Sequence, residues 1–157
     1  MYVDANLLVA GSLALGTNVL TGKTVSATNA TVVGDNVVDL GANLRDMGEG
    51  QALYARFEVT TAFSGGTSVE FQVTASDDTS QVTNPKVLAT TGAIPVASLV
   101  AGARFAVPIA PVIGSKGQRY LGVKFVVVGT SAGAAIADFG LDVQDGQKFY
   151  PSGFSVT

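Results

Sequence analysis

Apolar and polar residues alternate with a period of two through most of the chain, the repeat of a strand with one buried face. In "ALYARFEVT" Leu53, Ala55, Phe57 and Val59 share one face, and Tyr54, Arg56, Glu58 and Thr60 share the other. In "SVEFQVTAS" Val69, Phe71, Val73 and Ala75 oppose Glu70, Gln72, Thr74 and Ser76. The "SGG" between them offers residues that accept positive φ, so the two runs are expected to form an antiparallel hairpin. Its outer face would set Arg56 against Glu58 and Glu70. "ARFAVPI" groups Phe105, Val107 and Ile109, and Pro108 assigns that strand to an edge or a bulge.

"RYLGVKFVVVG" puts Leu121, Val123, Phe125 and Val127 on one side, while its other side is half apolar, as in a central or covered strand. "ADFGLDVQD" sets Phe139, Leu141 and Val143 against Asp138, Gly140, Asp142 and Gln144. Shorter strands are expected at "TVVG", "NVVDLG" and "KVLATT", and "VASLVAG" suits a helical turn. About eight short strands at this spacing predict an all-β, single-domain antiparallel sandwich of jelly-roll type. Residues 1–36 are expected as an N-terminal arm or long loop with at most one or two strands, packed on the same domain. Residues 37–148 would form the sandwich core and 149–157 a C-terminal tail.

Composition narrows what such a sandwich can do. Only 13% of the 157 residues are charged, about half the ordinary share of ~25%, so the surface is weakly protected against association. The net charge of −3 and the scattered Lys and Arg residues disfavour a nucleic-acid partner, which needs clustered cations. There is no Cys and no His, which removes thiolate chemistry, the commonest general base and the commonest metal ligand. "NLLVAGSLALG" has the apolar character of a secretory leader, but Asp4 and the lack of a preceding positive charge read as mature chain. The apolar stretch at 125–137 is too short for the ~20 residues of a membrane span, so no membrane partner is expected.

Three motifs resemble chemistry. "GTSAG" at 129–133 fits a nucleophile elbow with Ser131, yet no His can take the serine proton, and a turn between strands is the simpler reading. "GTNVLTGKT" resembles a phosphate loop, but five residues rather than four separate Gly16 from Gly22, and a β-branched run follows. Asp138, Asp142 and Asp145, or Asp77 with Asp78, could suggest calcium; neither set has liganding spacing, and Asp138 and Asp142 are expected on a solvated strand face. No catalytic residue, cofactor or metal is expected. A sugar-binding site would have only Tyr2, Tyr54, Tyr120 and Tyr150 as stacking platforms.

Several stretches together carry a resemblance: "MYVDANLLV", "VVDLGANLRDMGEGQALYARFEV", "TAFSGGTSVEFQV", "TGAIPVASLVAGARFAVPI", "KGQRYLGVKFVV" and "DVQDGQKFYPSGFSV". The chain resembles the capsid cement, or decoration, proteins of tailed bacteriophages, most distinctively in "DLG…RDMGEG" and "QRYLG". The stretch from Gly11 to Asn36 matches least closely and is longer. The resemblance implies a jelly-roll-like sandwich that forms a homodimer across two-fold or quasi-two-fold axes on the outer capsid surface. There it would staple neighbouring major capsid proteins and stabilise the DNA-filled head without touching DNA. Phe149, Tyr150 and Phe154, with Pro151 between them, are expected to anchor the tail on a neighbour, and Tyr2, Leu7, Leu8 and Val9 to make partner contacts. The alternatives are a non-catalytic carbohydrate- or receptor-binding sandwich on a phage or bacterial surface, and a small hydrolase using Ser131.

Overall fold

The computed structural model describes residues 7–14, 16–17, 19–42, 52–109 and 118–140. Its twelve strands are β1 (Leu8–Ala10), β2 (Ser12–Ala14), β3 (Val19–Thr21), β4 (Lys23–Thr28), β5 (Thr31–Val33), β6 (Val38–Asp39), β7 (Leu53–Ser64), β8 (Ser68–Ser76), β9 (Lys86–Pro95), β10 (Arg104–Ile109), β11 (Tyr120–Val128) and β12 (Thr130–Gly140). A single 3₁₀ turn at Val96–Ser98 occupies the expected helical position. All ladders are antiparallel. One sheet runs β1-β12-β7-β10 with β4 also on β12, and the second runs β5-β11-β8-β9 with β6 also on β11. The all-β sandwich expected from alternation is therefore the fold.

Two expectations give way. β7 and β8 are not hairpin partners: β7 pairs with β12 and β10, whereas β8 pairs with β11 and β9. Alternation says which face of a strand turns inward, but it does not say which sheet receives the strand. Gly65 and Gly66 do take positive φ, at 71° each, but the chain they turn crosses from one sheet to the other. The expected charge set dissolves with the hairpin. Arg56 bonds Asp138, Glu58 bonds Arg104, and Glu70 accepts from Gln72 and Thr90. The second revision concerns the first 36 residues, whose described part holds five short strands and contributes to both sheets.

Four crossings, β4–β5, β7–β8, β9–β10 and β11–β12, lie at one end of the sandwich and brace one another. Thr67 N–H donates to Val128 O at 2.8 Å, Val96 N–H to Thr67 O at 3.1 Å, and Asn29 N–H to Gly129 O at 3.1 Å. The Asn29 side chain closes the last contact by accepting from Gly129 N–H at 2.8 Å. Gly129 turns at φ 80° with the backbone of Gly66 against it; a Cβ there would come 2.7 Å from Gly66 Cα. Leu99, fully buried, plugs the same end, its carbonyl accepting from Phe63 N–H at 3.0 Å.

Between the sheets lies an aromatic layer. Phe71 of β8 has its ring centroid 5.3 Å from Phe57, 6.3 Å from Phe63, 5.6 Å from Phe105 and 5.5 Å from Phe125. Most of these pairs are edge-on, the geometry the ring quadrupoles favour. Phe57, Phe63 and Phe105 come from one sheet and Phe71 and Phe125 from the other, so Phe71 ties the layers together. As expected, β11 is central and β10, with Pro108, is an edge strand. Replacing the fully buried Phe71 by Ala should cost about 3–5 kcal/mol, and the same change at the half-buried Phe105 clearly less. Urea unfolding of the two variants measures the difference.

Candidate functional site

Of the expected contact residues, Leu8 and Val9 are buried at 3% and 1% exposure, Val9 in the core cluster, and Leu7 packs half-buried against that cluster. β1 is a sheet strand on β12: Val9 joins the cluster between the sheets, while Leu8, opposite Asp138, is buried outside that cluster. Tyr2, Phe149, Tyr150, Pro151 and Phe154 lie outside the described residues, as do Asp142 and Asp145.

Ser131 sits inside β12 at 2% exposure, its hydroxyl directed at Ser64 O at 3.4 Å. It has backbone, not a base, beside it, and it lies within a ladder rather than at a strand-to-helix elbow. The Gly22-Lys23-Thr24 sequence leads into β4, not into a helix. Asp138, expected on a solvated face, is instead 1% exposed and held by the guanidinium of Arg56, its direct cross-strand neighbour. Nε of Arg56 reaches Oδ1 at 3.2 Å and a terminal nitrogen reaches Oδ2, a two-pronged pair. A carboxylate engaged by a guanidinium in this way is a poor calcium ligand. Alternation failed here because the outer face of β12 is itself covered, as Ile136 at 1% exposure also shows.

The loop between β8 and β9 is built around two side chains. Asp78 accepts from the hydroxyls of Ser76, Ser80 and Thr83 and from the N–H groups of Val82 and Thr83. These donors, Ser76 foremost, hold its carboxyl well below the ordinary carboxylate range and leave it saturated rather than available to a metal. Gln81, at φ 60° and fully buried, accepts from Thr74 Oγ1 at 2.8 Å and donates to Tyr120 O at 3.1 Å. No sequence pattern marked that glutamine, since a polar residue in a polar loop is the default expectation.

The "DLG" and "QRYLG" pieces of the sequence resemblance meet. β6 and β11 pair Tyr120 with Asp39, and Arg119 reaches both Asp39 oxygens, at 2.7 and 2.6 Å. That carboxylate raises the already high pKa of the guanidinium, which also lies 5.0 Å from the Tyr120 ring centroid. One face of Tyr120 is thus taken by Arg119, which weakens it as a platform for a sugar ring.

A groove of about 530 Å³ opens beside β4, lined by Gly11, Ser12, residues 21–24, Asp35 and Asn36. Asp35 organises it: Oδ2 accepts from Gly11 N–H at 2.8 Å and Oδ1 from Lys23 Nζ at 2.6 Å. The lysine of the apparent phosphate loop therefore already has an anion. The "GDN" segment reads in sequence only as a turn, although an acid there and Lys23 twelve positions earlier were both visible.

Because Asp78 has a lowered folded pKa, its contribution to stability is full above the unfolded value near pH 4 and fades as pH falls below it. The melting-temperature gap between wild type and Asp78→Ala should therefore narrow from pH 6 to pH 2. Asp138→Ala, which strands a buried guanidinium, should cost about 3–5 kcal/mol, while Arg56→Met with Asp138→Leu should recover most of that loss. Chemical denaturation at neutral pH measures both.

A comparison with curated proteins finds no match. The family model Bbp16 matches residues 9–141, from the first strand to the end of β12. The match covers most of the chain, and the protein belongs to the Bbp16 family.

Proposed function

We propose that this chain is a structural virion protein, a capsid cement that sits as a homodimer on the outer surface of a phage head and clamps neighbouring major capsid subunits. The observation that carries the reading is the Asp39–Arg119 joint. The "DLG" and "QRYLG" pieces of the sequence resemblance join through one bidentate ion pair at a sheet edge, which suits an architectural role rather than a catalytic one.

The chemistry of the described residues supports the same conclusion. Ser131 faces backbone, Asp78 is saturated by its own loop, and Lys23 and Arg56 are neutralised by Asp35 and Asp138. A body whose described ion pairs are engaged in this way is suited to binding by shape and apolar contact. An isologous dimer is the simplest closed assembly for such a chain, since one self-complementary patch suffices.

The test uses heads of the parent phage from which this protein has been stripped or deleted. Added protein should bind the heads saturably, raise the temperature at which they release DNA, and sediment alone as a dimer. Failure to bind such heads, or turnover of an ester substrate that disappears in Ser131→Ala, would contradict the reading.

A further inference from the structure

We propose that the hairpin β2–β3 is a docking arm that inserts into an uncharged, apolar groove on the shell subunit beneath this protein; this inference rests on the cement reading above. Its first support is the register of the edge strand. β1 and β4 lie on the same side of β12, opposite β7, and run in the same direction. Ala10 stands opposite Ala137 and Lys23 opposite Ala135, so a single residue would continue the strand from one to the other. Residues 11–22 are thus an insertion into what is otherwise one edge strand.

The insertion closes on itself at its root. A Cβ on Gly11, whose φ is +96°, would lie 2.6 Å from Thr21 O and 2.9 Å from Ile136 Cγ2, so only glycine lets the two stems meet there. Asp35 then clamps both ends, taking Gly11 N–H with one oxygen and Lys23 with the other. Asp35 is itself anchored, because its N–H and that of Asn36 donate to Val9 O at 2.9 and 3.1 Å. The root is fixed to the sandwich from both sides.

Beyond that root the arm stands apart from the core cluster of the described residues, with Leu13 and Leu20 half-buried. Among the described residues β2 and β3 pair only with each other, and Leu13, Val19 and Leu20 do not join the hydrophobic core. An isolated two-stranded hairpin is marginal in water and needs a further layer. Val19 stands 54% exposed, and Leu13 and Leu20 face one another across the ladder. No residue from Gly11 to Gly22 is charged, while the root is flanked by Lys23 and Asp35. An uncharged arm matches an uncharged, apolar receptor surface and would be repelled by the desolvation of a charged one. On the cement reading, the surface that this chain must cover is the shell protein.

The register supplies a clean test. Deleting residues 12–22 joins Ala10-Gly11-Lys23 opposite residues 137, 136 and 135, an unbroken strand. The deletion variant should fold with a melting temperature within about 4 °C of wild type, a shift of the size that ~1 kcal/mol produces. It should keep the oligomeric state of wild type and bind stripped heads at least about tenfold more weakly, as expected when an apolar anchor is lost. Val19→Asp in the full chain, at an exposed position, should weaken head binding in the same direction without altering the melting temperature.

If wild type binds heads and both variants bind equally well, the arm proposal is overturned while the cement reading stands. If wild type does not bind, the cement reading falls and the arm proposal with it. If the deletion changes the oligomeric state of the protein alone, the arm is a contact between copies and the proposal is wrong. Should the deletion variant fail to fold, the inserted-strand argument is refuted, and undiminished binding by Val19→Asp then overturns the rest.

Discussion

The sandwich depends on the contact that Phe71 makes across its middle. One ring from the second sheet meets Phe57, Phe63 and Phe105 of the first and Phe125 of its own. In a chain with no Trp and eight Phe, six of them in or against this core, the apolar cohesion is concentrated in few side chains. Phe139, Leu121 and Ile109 extend that core on either side of the rings, and the four braced crossings at one end fix how the layers are stacked.

What remains for the surface follows from that interior. The covered outer face of β12 holds Arg56 against Asp138, the turn after β5 presents Asp35 to Lys23, and β6 brings Asp39 to Arg119. Each of these pairs fixes one segment onto another: strand to strand, insertion to edge, or short edge strand to the central β11. A polar inventory used in this way builds a rigid body and leaves recognition to shape and apolar contact. That division is what a protein acting as a clamp requires, and it is the physical content of the proposed role.

Much of the fold was legible because a half-buried strand advertises itself with period two. Val69, Phe71, Val73 and Ala75 alternate cleanly and are all buried, as are Leu121, Val123, Phe125 and Val127. Connectivity was not legible: "SGG" serves a hairpin or a crossing equally well, and only the long-range partners of β7 and β8 decide. Burial of Asp138 was hidden for a related reason, since alternation assumes a solvated outer face. Leu8 and Val9 looked like an arm because three residues are too few to alternate. At the candidate site, Lys23 drew attention for its motif, yet its role came from Asp35, a residue whose only sequence signal was that of a turn. The "DLG" and "QRYLG" stretches were recognisable as words, but that they touch was a property of the β6–β11 register alone.

The most direct measurement is a three-dimensional reconstruction of the parent phage head at a resolution that traces side chains. The account predicts this sandwich on the outer surface as a pair about each two-fold or quasi-two-fold position, with residues 12–21 seated in an apolar groove of the shell protein. A head whose outer surface lacks this protein, or density for it inside the particle or at the tail alone, would contradict it.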